Sequence, residues 1–302
     1  MSVIGKSRLD AVARSYRALF FQGLEKNKNA LGALASQFFM EVGSTGQKEN
    51  YNWIGDVPAL QTWRDARPHE RLRVTGYEIE NVDYATGIEV HANDLDDDRL
   101  NLVQPRINGL VDAVQLHKFT QFKSLLEAGI STACYDGQNF FSASHSEGSS
   151  GTQSNYLTSS ATLSSTNVRA AYAAMTEYKN DQGNLMGITP THLFTSPAQM
   201  GTALDIIGAS TISTGGQNMD LSMGLKLIII PGLTTTVWWG LVDLSKSLKP
   251  FIFQNRRAVN FTSLTDPESP DFYNTRRIKF GVDYRAGFGY GMWQLMYLAD
   301  GA

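Results

Sequence analysis

The chain has 302 residues, with 26 Lys+Arg against 29 Asp+Glu for a net charge of −3, and is 42% hydrophobic and 18% charged. That length suits about two domains, and the composition excludes a disordered chain and a strongly basic nucleic-acid binder. The single cysteine, Cys134, excludes a disulfide framework and any multi-cysteine zinc or iron–sulfur site.

In chain order, Leu9, Val12, Tyr16, Leu19, Phe20 and Leu24 fall at spacings of three and four, which predicts a helix. A break at Asn27–Asn29 precedes a second short apolar set, Leu31, Leu34, Phe38 and Phe39. Residues 43–50 read as a polar hinge, followed by an aromatic stretch with Tyr51, Trp53 and Trp63. Residues 71–92 alternate as a long hairpin that turns at Glu80–Asp83. The clearest helix runs from about residue 98 to 128, with Ile107, Leu110, Val111, Val114, Phe122, Leu125 and Leu126 on one face and Gly129 as its stop. Asp96, Asp97 and Asp98 sit where the helix dipole favours negative charge, and Pro105 bends the helix or moves its start later.

Residues 135–165, rich in Ser, Gly, Thr and Asn, read as a long surface excursion. Thr166 caps a predicted helix through Tyr178, a strand follows at Thr191–Thr195, and Ser196-Pro197 opens a helix containing Met200, Leu204 and Ile207. Leu225–Ile230, Thr236–Leu244, Pro250–Gln254, Ile278–Arg285 and Tyr290–Tyr297 are strand candidates. No repeat and no regular alternation of helix and strand is present, so the fold class is α+β. No apolar run, Leu227–Ile230 included, approaches the ~18 residues of a membrane span, and Met1–Lys6 lacks the apolar region of a signal peptide. A protein of a reducing compartment, with no membrane, is expected.

Motifs of chemistry are scarce. Asp94–Asp98 mimics half a calcium loop, but Arg99 stands where glycine is required and Pro105 where glutamate should be. Gly287-Phe288-Gly289-Tyr290-Gly291 reads as a glycine kink in a late strand rather than a phosphate loop. Cys134 and His145, with Asp136 and Ser142 between, are the sole thiol–imidazole candidates close in sequence; as a hydrolase they would need a base in reach of the thiol and a third group to orient it. No catalytic, cofactor-binding or metal site is expected, and the chain is read as a non-enzyme.

Charge is segregated. Residues 1–30 carry six basic and two acidic residues (+4), residues 78–98 eight acidic and none basic (−8), and residues 246–285 eight basic and four acidic (+4). Such blocks suggest complementary surfaces within the fold or between copies. An isolated aromatic-rich hairpin over 51–92 is marginal in water and points to contact with a neighbour. Trp53, Trp63, Tyr77, Asp94, Asp96, Arg14, Arg17, Arg276 and Arg277 are the candidate subunit-interface residues.

Tyr51-Asn52-Trp53-Ile54-Gly55-Asp56-Val57-Pro58 with Trp63, Asp94–Asp98, Ala133-Cys134-Tyr135-Asp136-Gly137-Gln138-Asn139-Phe140-Phe141, Lys249–Gln254 and Phe280–Gln294 resemble, in order, the Mu-like phage major head subunit family. The resemblance covers nearly the whole chain and implies the Hong Kong 97-type major capsid fold, with a long spine helix, an extended loop, and peripheral and axial domains. The corresponding divisions are an amino-terminal arm at 1–45, extended loop at 46–95, spine helix of the peripheral domain at 96–134, the Ser/Gly-rich excursion at 135–165, axial domain at 166–250, peripheral strands at 251–286, and a carboxy-terminal strand returning to the axial domain at 287–302. It further implies assembly as pentamers and hexamers into the icosahedral shell of a tailed phage around non-specifically held double-stranded DNA. Scaffold or protease, portal and decoration proteins are the implied partners, with assembly in the host cytoplasm. Arg8, Arg14 and Arg17 would meet DNA or a neighbour's acidic loop. An encapsulin-like nanocompartment shell is the second reading within that fold. Some such shells link extended-loop lysines covalently to asparagines; residues 49–117 contain no lysine and Lys48 sits at the base of the loop, so non-covalent stabilisation is expected.

Overall fold

The computed structural model describes residues 6–26, 29–51, 76–96, 103–208 and 223–301. Its long axis is set by an amphipathic helix over which two sheets are arranged. The first helix, α1 (Lys6–Lys26), buries Leu9 and Phe20; α2 (Ala30–Phe38) is capped by Asn29, whose side chain accepts from the Leu31 amide at 3.0 Å. Strands β1 (Phe39–Gly43), β2 (Lys48–Asn50), β3 (Glu78–Glu80) and β4 (Val82–His91) lead to a short helix, α3 (Ala92–Asp96), and then to α4 (Val103–Ala128). At 26 residues α4 is about 39 Å long. It buries Val103, Ile107, Leu110, Val111, Phe119, Phe122 and Leu126 and ends one residue before Gly129, close to the predicted face and stop. Pro105 lies in its first turn, where a missing amide hydrogen costs no helix bond. Asp96, expected at the start of the spine helix, instead ends α3, and Asp97 and Asp98 lie outside the described residues.

Short strands β5 (His145–Ser146), β6 (Thr152–Gln153) and β7 (Tyr156–Leu157) precede α5 (Ser165–Thr176). The cap of α5 is Ser164, which accepts from Asn167 N at 3.3 Å, two residues before the expected Thr166. β8 (His192–Thr195), a 3-10 turn at Pro197–Gln199, α6 (Met200–Ile207), β9 (Lys226–Ile229) and β10 (Trp239–Val242) follow. Ser196 donates its hydroxyl to Thr236 O instead of capping the turn. The chain closes with β11 (Phe251–Leu264), α7 (Pro270–Thr275), β12 (Arg277–Tyr290) and β13 (Met296–Ala299). The predicted strand at 290–297 is divided: β12 ends at Tyr290, a 3-10 turn spans Trp293–Leu295, and β13 begins after it.

One four-stranded sheet runs β1-β11-β12-β4, with β1 parallel to β11 and the other pairs antiparallel. A five-stranded sheet runs β7-β13-β10-β8-β9. The predicted 71–92 hairpin does not form: β3 pairs with β2, β4 pairs with β12, and residues 71–75 lie outside the described residues. Only Asn81 separates β3 from β4, too short a link for a hairpin turn. Its amide donates to Gln47 O and its side chain to Ser44 Oγ and Gly46 O, so the chain kinks there instead of reversing.

The hydrophobic interior has two parts. The larger joins α2, α4, the five-stranded sheet and the Phe251 end of β11 through Phe38, Phe122, Phe140, Trp239, Phe251 and Trp293. The smaller packs α1 and the amino-terminal half of α4 on the far ends of β11 and β12 through Leu9, Phe20, Ile107, Val111, Phe261 and Phe280. Residues 135–165 are no surface excursion: Tyr135, Phe140, Phe141, His145, Asn155, Ala161 and Leu163 are buried. The Ser150 and Ser154 hydroxyls and the Asn139 and Asn155 amides donate to backbone carbonyls, which lets irregular chain enter the interior. Among the described residues no helix is long and apolar enough to cross a membrane.

Phe122 meets Phe38 and Phe251 at ring-centroid distances of 4.6 and 5.8 Å. Phe122→Ala is expected to cost about 3–5 kcal/mol in urea denaturation, against under about 0.5 kcal/mol for exposed Leu116→Ala.

Candidate assembly interface

Between β1 and β4 of the four-stranded sheet, β2 and β3 form a two-stranded stem. In it Lys48 pairs with Glu80 and Asn50 with Glu78, and Tyr51 N donates to Tyr77 O at 3.0 Å. The foot of the stem is densely bonded. Glu49 accepts from Thr45 N, Gly46 N and Ser44 Oγ at 2.7, 2.9 and 2.9 Å, and the backbone bonds, that of Gly46 foremost, hold its carboxyl below the ordinary value. Tyr51 Oη donates to Gln254 Oε1 at 2.8 Å, Gln254 Nε2 to Ile79 O at 3.3 Å, and Tyr290 N to Tyr77 Oη at 2.7 Å. Ile79 lies flat on Gly287 and Gly289, where an added Cβ would stand 2.8 and 2.4 Å from its methyl carbons. The glycine run is therefore a seat for β3 rather than a kink.

The candidate interface residues divide by position. Trp53 and Trp63 lie outside the described residues, as does the Asp96 side chain. Arg14 and Arg17 are exposed on α1, with Arg17 5.8 Å from the Phe21 ring centre. Asp94 is exposed on α3. Tyr77 is half-buried in the stem, and burial pushes its hydroxyl pKa well up. Arg276 takes a left-handed conformation (φ 50°) at the end of α7, and its carbonyl accepts from Ala92 N at 2.9 Å. Arg277 Nη1 meets Glu89 Oε2 at 2.8 Å within the chain.

That last contact belongs to a row. Lys279 pairs with Glu89 and Asp271 at 3.5 and 2.7 Å, and Arg257 with Asp83 and Asp283 at 3.0 Å each. Asp83 and Glu89 of the acidic 78–98 block thus meet the basic 246–285 block within one chain, because β4 and β12 are sheet neighbours. Gln254, Asn81 and Ile79 were not among the candidate interface residues; Gln254 ends the Lys249–Gln254 run, and the other two lie in no motif.

The Cys134–His145 pair does not form a nucleophile and base. Asp136 stands between them: Cys134 Sγ donates to Asp136 Oδ1 at 3.2 Å, and His145 Nδ1 meets Asp136 Oδ2 at 2.5 Å. His145 Nε2 meets Asn155 Oδ1 at 3.1 Å, and the ring stacks on Trp293 at 3.9 Å. Burial and the Asp136 charge push the thiol up, away from a nucleophilic thiolate. Burial alone would raise the Asp136 carboxyl, but His145 overcomes it and holds it low. Beside them Glu147 is raised by burial, against hydrogen bonds from Tyr135 and Trp293.

A spine helix across a four-stranded sheet, a second mixed sheet and a stemmed loop define a class, the Hong Kong 97-type phage capsid subunits. The procapsid subunit of bacteriophage JBD30 superposes with a TM-score of 0.62 at 22% identity, covering 98% of this chain and 75% of that one. A phage-related protein from Bordetella bronchiseptica RB50 gives 0.59 at 12% identity, covering 94% and 96%. Residues 9–162, 156–233 and 230–301 match the model of the Mu-like prophage major head subunit gpT, and the chain belongs to that family. It is 28% identical over 285 residues to the Mu-like prophage FluMu major head subunit of Haemophilus influenzae, covering 93% of this chain and 72% of that protein. It is 22% identical over 299 residues to the major capsid protein of Escherichia phage Mu, covering 99% and 75%.

Gly289→Val is expected to unseat Ile79 and lower stability by about 1–3 kcal/mol in chemical denaturation. The hydrogen bond from Arg277 holds Glu89 below its ordinary value, so its pairing persists above the free carboxylate range and is lost as pH falls through the folded value. Lowering pH from about 6 to about 3 should reduce the protection factors of β4 amides, corrected for the intrinsic exchange rate at each pH, more than those of β10.

Proposed function

We propose that this major head subunit works by repeated self-association as pentamers and hexamers, closing an icosahedral shell around double-stranded DNA, and that it performs no catalysis. The observation that carries this reading is the family match from residue 9 to residue 301. Two structural features support it: the stem that closes at Tyr51 and Tyr77, and a Cys134–His145 arrangement with Asp136 between the thiol and the ring.

In this reading residues 46–95 are the extended loop, with Trp53 and Trp63 as its contacts on a neighbour. Residues 96–134, with α4, and residues 251–286 form the peripheral domain, and residues 166–250 with the carboxy-terminal strand at 287–302 form the axial domain. Arg14 and Arg17, with Arg8, supply the outward charge of the arm, for a neighbour's acidic residues Asp94 and Asp96 or for DNA phosphates held without sequence preference. Arg276 acts at a contact near the tip of the β11–β12 ribbon, and Arg277 takes part through the face it shares with Glu89. Many weak contacts, repeated by symmetry, give the shell its stability. Scaffold, protease, portal and decoration proteins would join in the host cytoplasm, with the mature chain in the virion.

Electron microscopy of the protein produced with the head genes of its own cluster should show closed shells. A persistent 33.3 kDa monomer in sedimentation would overturn the reading. With no lysine in residues 49–117, boiled particles should run on a denaturing gel as single chains without a ladder of covalent oligomers.

A further inference from the structure

The cluster around Asp136 has more order than a failed catalytic pair needs. Cys134 and Asp136 sit on a tight turn in which Cys134 N donates to Gln138 O at 2.8 Å and Gly137 N to Cys134 O at 3.1 Å, with Gly137 at φ +82°. His145 arrives from β5, fully buried, and the Asp136 side chain is 3% exposed. The thiol sulfur, a carboxylate oxygen and an imidazole nitrogen lie within 4.8 Å of one another.

Asn155 determines which nitrogen of His145 is presented. Asn155 Nδ2 faces the carbonyls of Phe140, Trp293 and Met296 at 2.8, 3.4 and 3.3 Å, while its Oδ1 accepts from Ser142 N at 2.8 Å. The amide is therefore oriented, and Oδ1 requires a hydrogen on His145 Nε2. Nδ1 is left directed at Asp136 Oδ2 at 2.5 Å, across a gap that either a proton or a cation can bridge. A metal-binding histidine shows this pattern: one nitrogen held by an oriented outer-shell oxygen, the other directed at the ion. Stacking on Trp293 at an interplanar angle of 5° locks the ring.

We propose that Cys134 Sγ, Asp136 and His145 Nδ1 form a buried mixed-donor site for a divalent, thiophilic cation of the zinc class. One sulfur, one nitrogen and one oxygen suit such an ion and fill three corners of a tetrahedron. At 2.5 Å, the Nδ1–Oδ2 gap in this structure holds a proton; about 3.3 Å is needed for metal bonds near 2.0 Å, a shift within reach of one carboxylate rotation. The exchange balances. Two protons leave, one from Cys134 Sγ and one from between Nδ1 and Oδ2, and the ion takes their place. The cluster's net charge is zero before and after, so the interior gains no unpaired charge. Because the donors are buried, the ion would enter as the chain folds. It would tie the 133–139 turn to β5 and, through Asn155 and Trp293, to the carboxy-terminal strand.

The test uses the full-length protein produced in cobalt-supplemented minimal medium and desalted in the presence of EDTA. The expected result is about one Co2+ per chain, with tetrahedral visible bands and a thiolate-to-cobalt band in the near ultraviolet. Cys134→Ser should remove the thiolate band, His145→Gln should lower the metal content by about tenfold or more, and His192→Gln should change neither. A folded parent protein holding under about 0.1 ion per chain would overturn the proposal. So would equal metal in the parent and in both the Cys134→Ser and His145→Gln proteins, which marks an adventitious ion only. If His145→Gln fails to fold, the near-isosteric Cys134→Ser decides alone: loss of the near-ultraviolet band at an unchanged far-ultraviolet spectrum supports the site, and its persistence overturns it.

Discussion

The architecture depends on one helix and one two-stranded ribbon passing through both hydrophobic interiors. α4 contributes Ile107 and Val111 to the smaller core and Phe122 and Leu126 to the larger, while β11 contributes Phe261 to one and Phe251 to the other. β12 follows the same rule with Phe280 and Tyr290. Neither core is complete without these three elements, each side chain of this size being worth roughly 1.5–3 kcal/mol when buried. Strain at one end is therefore transmitted through close-packed side chains rather than absorbed in a linker.

On that frame the chain separates two uses of polar groups. The foot of the stem is bonded inward: Glu49 to the 44–46 turn, Tyr51 to Gln254, Tyr77 to Tyr290. These bonds fix where residues 46–95 leave the sheet, while exposed ion pairs such as Arg257–Asp83 and Arg277–Glu89 add modestly and are screened by salt. Asp83 and Glu89 are paired with Arg257, Arg285, Arg277 and Lys279 within a single chain, while Arg14 and Arg17 on α1 and Asp94 on α3 are exposed.

The Ser/Gly-rich segment is the counterpart of the stem inside the larger core. Irregular backbone can be buried there because Asn155 satisfies three carbonyls and one amide, and because Glu147 gathers Tyr135, Trp293 and Gln294 around a single carboxylate. Aromatic faces close around these groups: Phe140 stacks on Tyr290 at 4.7 Å, and Trp293 covers His145. Unpaired polar groups in such a place would cost far more than the same groups at the surface, so the segment holds one conformation despite its composition.

The sequence by itself determined the elements whose period is local: α1, the spine helix with its buried stripe and glycine stop, and the strands of the second half, most within a few residues. Family membership was legible too, because it rests on runs such as Tyr51–Pro58 and Phe280–Gln294. The tertiary structure alone decided pairing. Alternation at 78–90 is equally good for a hairpin or for strands in two different sheets, and only Asn81's bonds to 44–47 and the β12 partner of β4 choose between them. Likewise polar composition at 135–165 predicted exposure, since burial of Asn155 and His145 depends on carbonyls and rings supplied from residues 140 and 293–296. Such long-range satisfaction of hydrogen bonds leaves no local period for a sequence to display.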